Sequence, residues 1–175
     1  MILSESRSNL VLLGLPGSGK STIGARLAQY FDRPFLDTDR LIEGFTGRSL
    51  QQIVDTDGAL QLRAIEAQIV AGLMVFDTVI ATGGSVIYSD VTMRHLQSLG
   101  LLVYLRAREE TILERIGDYS QRGIARLPGQ SIASVIEERL PLYERYANVV
   151  VDVDGLTEPQ VMAACVAVVE SQGPR

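Results

Sequence analysis

An apolar run, a glycine-rich turn and an amphipathic segment follow one another without a break in NLVLLGLPGSGKSTIGARLAQYF, Asn9 to Phe31. Few folds accept that order. A buried strand has to end where the glycines begin and a helix has to start where they stop, which commits the chain to a strand-loop-helix unit. Gly14, Gly19, Lys20 and Ser21 satisfy the spacing G-x-x-x-x-G-K-[ST]. In such a loop the glycines let backbone N–H groups converge on phosphate oxygens, and the helix N-terminus adds its partial positive charge. The pattern makes Gly17, Ser18, Gly19, Lys20, Ser21 and Thr22 a nucleotide-binding set. Lys20 is expected to reach the β- and γ-phosphates, and Ser21 to supply an oxygen to Mg²⁺.

Beyond this unit, β-branched apolar runs at 9–14, 34–37, 79–81, 101–105 and 148–152 read as strands. Helical periodicity is expected at 20–31, 40–45, 50–55, 58–74, 91–99, 109–116, 131–139 and 158–171. Strands alternating with helices mean an α/β fold with a mainly parallel sheet. One stretch resists regular assignment: GDYSQRGIARLPGQ, residues 117–130, holds three glycines, a proline and two arginines, as a mobile lid would.

A chain of 175 residues with 46% apolar content builds one full core, so a single domain is expected. Its formal charge of −5 speaks against a nucleic-acid or anionic-membrane partner, which would call for a basic face. An anionic ligand must then meet a local cluster of positive groups. No apolar stretch reaches the ~20 residues of a membrane span, and the first ten residues lack the pattern of a cleaved leader. The lone Cys165 lies in an apolar segment, as a buried free thiol would, which suits a reducing cytoplasm. His95 falls in an expected helix, where surface exposure or packing is a better reading than metal ligation. With no coiled-coil or large interface pattern, the expected state is a monomer.

At the end of the second strand stands LDTDR. Strand alternation would put Asp37 and Asp39 on one face with Thr38 pointing away. One carboxylate could then help hold Mg²⁺ and the other orient or deprotonate an acceptor hydroxyl.

Further along come LRAIE with Arg63 and Glu66, IATGGS with Gly83 and Gly84, SQRGIAR with Arg122, and EERLPLYERYA with Arg139 and Pro141. Together with the glycine-rich loop and DTD, this set resembles the shikimate kinase family, small P-loop kinases that use MgATP to phosphorylate the 3-hydroxyl of shikimate on the way to aromatic amino acids. The resemblance runs from Asn9 to about Ser171. It implies one P-loop kinase domain over residues 1–175, in three layers around a five-stranded parallel sheet of order 2-3-1-4-5. It also implies acceptor-binding helices over about 39–75 and a mobile lid over about 117–130. By position, Lys20, Asp39 and Arg122 match the catalytic groups, and Ser21 and Asp37 those at the metal. Asp39, Arg63, Gly83, Gly84 and Arg139 match the shikimate site, with the two arginines on the carboxylate. Arg122 matches the lid arginine that closes on the phosphates; Arg115 and Pro159 match the adenine side. ATP and shikimate are the implied partners, with Mg²⁺ as cofactor.

The chemistry of such an acceptor agrees, since a polyol acid needs a guanidinium fork for its carboxylate and an acceptor for its hydroxyl protons. The departures gather on the acceptor side. Relatives have three successive glycines where this chain has Gly83, Gly84 and Ser85; aromatic positions appear as Val54 and Leu62, a glutamate as Ala59, and a lid proline as Gly123. Arg126, four residues past Arg122, is a second candidate for the lid arginine. Two other functions fit these departures: a related hydroxy-acid kinase of the gluconate type, and a non-catalytic module that binds ligand without turnover.

Overall fold

β1 (Asn9–Leu13) is five apolar or amide residues long and entirely buried, which marks it as the central strand of a covered sheet. The computed structural model describes residues 8–117 and 123–172. In it β1 lies between β3 (Val79–Ala81) and β4 (Gly100–Arg106), with β2 (Phe35–Asp37) outside β3 and β5 (Val149–Asp152) outside β4. The order is β2-β3-β1-β4-β5 and every pairing is parallel, as expected. Val11, Leu12 and Leu13 are all at 0% exposure. Successive strand residues face opposite sides, so helices cover both faces and the architecture has three layers.

The helices are α1 (Lys20–Tyr30), α2 (Thr38–Thr46), α3 (Leu50–Asp57), α4 (Ala59–Ala71), α5 (Asp90–Leu99), α6 (Glu109–Ile116), α7 (Ile132–Tyr146) and α8 (Glu158–Ser171). α1 packs on β3 with α8 beside it, while α5 and α7 pack on β4. α2, α3 and α4 pack on one another and enclose a second, smaller apolar cluster of Ile42, Ile53, Ala59 and Leu62. Ala125 enters that cluster from beyond α6.

Register sets the position of the site. Leu12 pairs with Ala81 and Ala81 with Asp37, so the chain leaves β1, β2 and β3 at one level of the sheet. Loops from three neighbouring strands therefore meet at the carboxyl edge, where open α/β sheets bind ligands.

Two expectations are corrected. α7 does not end at Arg139 but runs through Pro141 to Tyr146. Proline removes one N–H and frees the carbonyl of Glu137, yet both residues are on the exposed side of the helix, where the loss costs least. Burial of Tyr143 and Tyr146 holds the last turns. Nor does strand alternation place Asp37 and Asp39. β2 stops at Asp37, which caps α2 by accepting a hydrogen bond from the Asp39 backbone N–H at 3.0 Å. Thr38 turns inward, fully buried, and its hydroxyl accepts from the Gly83 N–H at 2.9 Å. The helix, not the strand, aims Asp39.

Two smaller readings hold. Cys165 is fully buried, and burial pushes its thiol up to about 11. A ring nitrogen of His95 bonds to the Leu73 carbonyl at 2.9 Å, which is a packing role.

Candidate active site

α1 begins at Gly19 with neither a capping side chain nor an acidic residue in its first turn. Its first N–H groups and the positive end of its dipole are thus open to an anion. Gly17 and Gly19 have φ of +81° and +99°, values that a side chain would make costly, and these bends turn the loop around a central hollow. The hollow is a cavity of about 450 Å³ lined by Pro16, Gly17, Gly19, Lys20, Ser21, Thr22, Asp39, Thr82 and Arg115. Ser18 is buried, its hydroxyl without a partner among the described residues. An adjoining cavity of about 250 Å³ shares Gly17, Gly19, Thr22 and Arg115 and extends to Leu156, Glu158 and Val161. Arg115, which donates to the Val153 carbonyl, stands between the two. Pro159 does not join them: it is exposed in the first turn of α8, and its neighbours Leu156 and Glu158 form the wall instead.

The charged groups at the floor perturb one another. Lys20 Nζ donates to the carbonyls of Gly14 and Leu15, each at 2.8 Å. Burial lowers its pKa to about 8 against the opposing pull of Asp39 and Asp37, so the amine is still cationic at neutral pH. Burial likewise raises Asp39, to about 6, with Lys20 opposing. Ser21 Oγ donates to Asp37 Oδ2 at 2.6 Å, which joins an oxygen of α1 to one at the end of β2.

On the far side of Lys20 and Asp39 lies a smaller cavity of about 60 Å³. Its walls include Glu66, Gly83, Gly84, Ser85, Arg139 and the segment from Gly123 to Ala125. Arg139 is 1% exposed and donates to the Ala125 carbonyl at 2.9 Å and to the Tyr88 hydroxyl at 3.3 Å. Arg63 donates to the same carbonyl at 3.1 Å, and its guanidinium lies 3.7 Å from the centre of the Tyr88 ring. Gly84 is fixed through its carbonyl, which accepts from the buried Tyr143 hydroxyl at 2.5 Å. The space is well under the roughly 300 Å³ of the smallest ordinary ligand pockets. Gly123 to Ala125 form one of its walls.

Gly123 has φ of +58°, and a Cβ there would lie 2.5 Å from Leu50 Cβ. The glycine in place of the lid proline thus permits close packing on α3 rather than slackness. Its N–H donates to Gln51 Oε1 at 2.7 Å. Arg122 and the rest of 118–122 lie outside the described residues. Arg126 is held away from the phosphate cavity, donating to the Gln130 carbonyl at 3.2 Å. Val54 and Ala59 line a separate groove with Leu127 and Pro128, whereas Leu62 reaches the small cavity itself.

Several contributors were not among the expected site residues. Glu66, one turn after Arg63 on α4, is detectable as an i, i+3 neighbour of an arginine. Tyr143, one turn after Arg139, has the same kind of signature. Tyr88 and the Ala125 carbonyl carry no sequence signal, because only the tertiary fold brings them to the arginines.

The family model for shikimate kinase matches residues 16–170. The chain belongs to the shikimate kinase family. A shikimate kinase of Mycobacterium avium is 40% identical over 145 residues, 81% of this chain and 82% of that one. One from Thermodesulfovibrio yellowstonii is 34% identical over 156 residues, covering 87% of this chain and 90% of its own. Among solved structures, a shikimate kinase from Acinetobacter baumannii in complex with shikimate superimposes with a TM-score of 0.87 at 28% identity, covering 98% of this chain and 97% of that one. The P-loop kinase fold follows from the strand order and these shikimate kinase matches together.

Proposed function

We propose that this member of the shikimate kinase family transfers the γ-phosphoryl group of ATP to the 3-hydroxyl of shikimate, giving ADP and shikimate 3-phosphate. The observation that carries the reading is a junction: Lys20 and Asp39 line both the phosphate-side cavity and the smaller one holding the arginines. A phosphoryl donor and a hydroxyl acceptor would meet at these two side chains.

On the donor side, Gly17 to Thr22 cradle the phosphates and Arg115 flanks the adenine. Lys20 places its charge on the group in flight. The 2.6 Å contact of Ser21 with Asp37 gathers two hard oxygens, a set that fits Mg²⁺, which takes few protein ligands alongside substrate phosphates. When bound there, the ion neutralises charge on the β- and γ-phosphate oxygens. On the acceptor side, Arg63 and Arg139 receive the carboxylate and the backbone of Gly83 and Gly84 bounds the ring. Asp39, raised only to about 6, is ionised at neutral pH and accepts the 3-hydroxyl proton. Arg122 is assigned, from its match to the family's lid arginine, a role on the transferred phosphate.

A single-domain monomer is the simplest state for a chain whose sequence carries no coiled-coil or large interface pattern. The buried free thiol of Cys165 fits the cytoplasm. The net charge of −5 fits small-molecule partners rather than nucleic acid or a membrane surface, and no helix among the described residues is long and apolar enough to cross a membrane.

Release of ADP from MgATP, compared with shikimate, with gluconate and with no acceptor, tests the assignment. Shikimate-dependent release is expected; gluconate-dependent release, or none at all, overturns it. In the same assay Arg139→Ala is expected to raise the KM for shikimate roughly 30-fold to several-hundred-fold, since a carboxylate loses its buried charged partner, a loss of about 2–4 kcal/mol. An unchanged KM would place the carboxylate elsewhere.

A further inference from the structure

Ser85 stands where relatives carry glycine, and nothing in the transfer derived above uses it. Its hydroxyl donates to Oε2 of Glu66, a carboxylate on α4 that is 2% exposed. That bond holds the carboxylate in one rotation and leaves Oε1 buried without a partner among the described residues. Oε1 lies over Gly83, where an added Cβ would collide with it and would also come within 2.6 Å of Asp39 Oδ1. Two carboxylates from different helices thus converge on one spot of the acceptor cavity. Burial first, then Asp39, push Glu66 up to about 7. A buried acceptor atom with no donor is rare in a folded protein and points to a donor that arrives with a ligand.

Arg63 is the other half of the argument. Three residues before Glu66 on the same helix, it is the natural ion-pair partner. Instead its guanidinium lies over Tyr88 and bonds to Ala125, and Glu66 bonds to Ser85. With Glu66 bonded to Ser85 and Arg63 turned to Tyr88, the pair stays apart, which leaves the guanidinium for an acid group and Oε1 for a hydroxyl.

We propose that Ser85 is a positioning residue that presents Glu66 Oε1 to the acceptor hydroxyl next to the one phosphorylated. Two carboxylates, Asp39 and Glu66, then read two adjacent hydroxyls of a polyol acid. The inference rests on the acceptor reading above, for which the neighbouring group is the 4-hydroxyl of shikimate.

The test is the ratio of kcat/KM for shikimate to that for its analogue lacking the 4-hydroxyl, measured on the wild type, Ser85→Gly and Glu66→Ala. This ratio is blind to a uniform loss of folded enzyme. The wild type is expected to favour shikimate by about 30-fold or more, as a site built to bond a hydroxyl rejects the analogue without it. Ser85→Gly, which frees Glu66 to rotate, is expected to lower the ratio at least about fivefold, and Glu66→Ala to bring it close to one. If Glu66→Ala does not fold, Ser85→Gly decides the matter alone, because it removes only a hydroxymethyl group. The same ratio in every variant overturns the proposal, as does a wild type that uses both acceptors equally well. A wild type with no shikimate-dependent turnover overturns the acceptor reading instead.

Discussion

Lys20→Met is expected to lower kcat by about 10²–10³-fold or more, with the protein still folded. Lys20 is a buried cation at the junction of the two cavities, and methionine reproduces its length without its charge. Its hydrogen bonds to Gly14 and Leu15 fix the amine against the loop that surrounds the phosphates. The charge is therefore in place before the reaction begins, and no reorganisation is needed when negative charge shifts on the transferred group. Steady-state ADP release, with a circular-dichroism melt as the check on folding, measures the effect. A kcat within tenfold of the wild type would remove Lys20 from the transfer step.

Asp39→Asn is expected to lower kcat by about 10²–10⁴-fold while the affinity for MgATP changes by only a few-fold. The asparagine keeps the shape and can still lie at the start of α2, but it cannot take a proton. The pH dependence gives a second readout. The active form of Asp39 is ionised and its pKa is raised to about 6, so wild-type kcat climbs with pH through that region, until loss of the Lys20 proton near 8 turns it down. In the variant the rising limb is expected to vanish. An equal loss of MgATP affinity would move Asp39 to the metal, a place the Ser21 and Asp37 contact otherwise fills.

Much of this site was legible in the sequence, for identifiable reasons. Local rules govern the glycine-rich loop: strand, left-handed glycines and helix start follow one another in the chain, so Gly17 to Thr22 and Lys20 needed no tertiary information. Arg63 and Arg139 were marked by the motifs around them. What was misread came from competition between local rules. Asp37 suits a strand by position and a helix cap by chemistry, and the cap prevailed because Thr38 had a buried partner in Gly83. Pro141 signalled a helix end, yet it falls on the exposed side of α7, where its missing N–H matters little. Tyr88 and Ala125 reach the arginines across sequence gaps that no periodicity spans.

The Ala125 carbonyl gives the acceptor site an internal rival. An acid entering the site would approach two guanidiniums that each already give one hydrogen bond to a backbone oxygen, in a space walled in part by Gly123 to Ala125. Binding is then an exchange of one acceptor oxygen for another, and its free energy is a difference. The arginines gain a charged partner; the loop gives up its packing on Leu50 and its bond to Gln51. If the acid binds only when the loop withdraws, measured affinity would equal the intrinsic affinity scaled by the fraction of molecules in that state. Side chains that never touch the acid thereby enter its dissociation constant, and changes along this short loop can retune acceptor affinity over generations while Arg63 and Arg139 stay as they are.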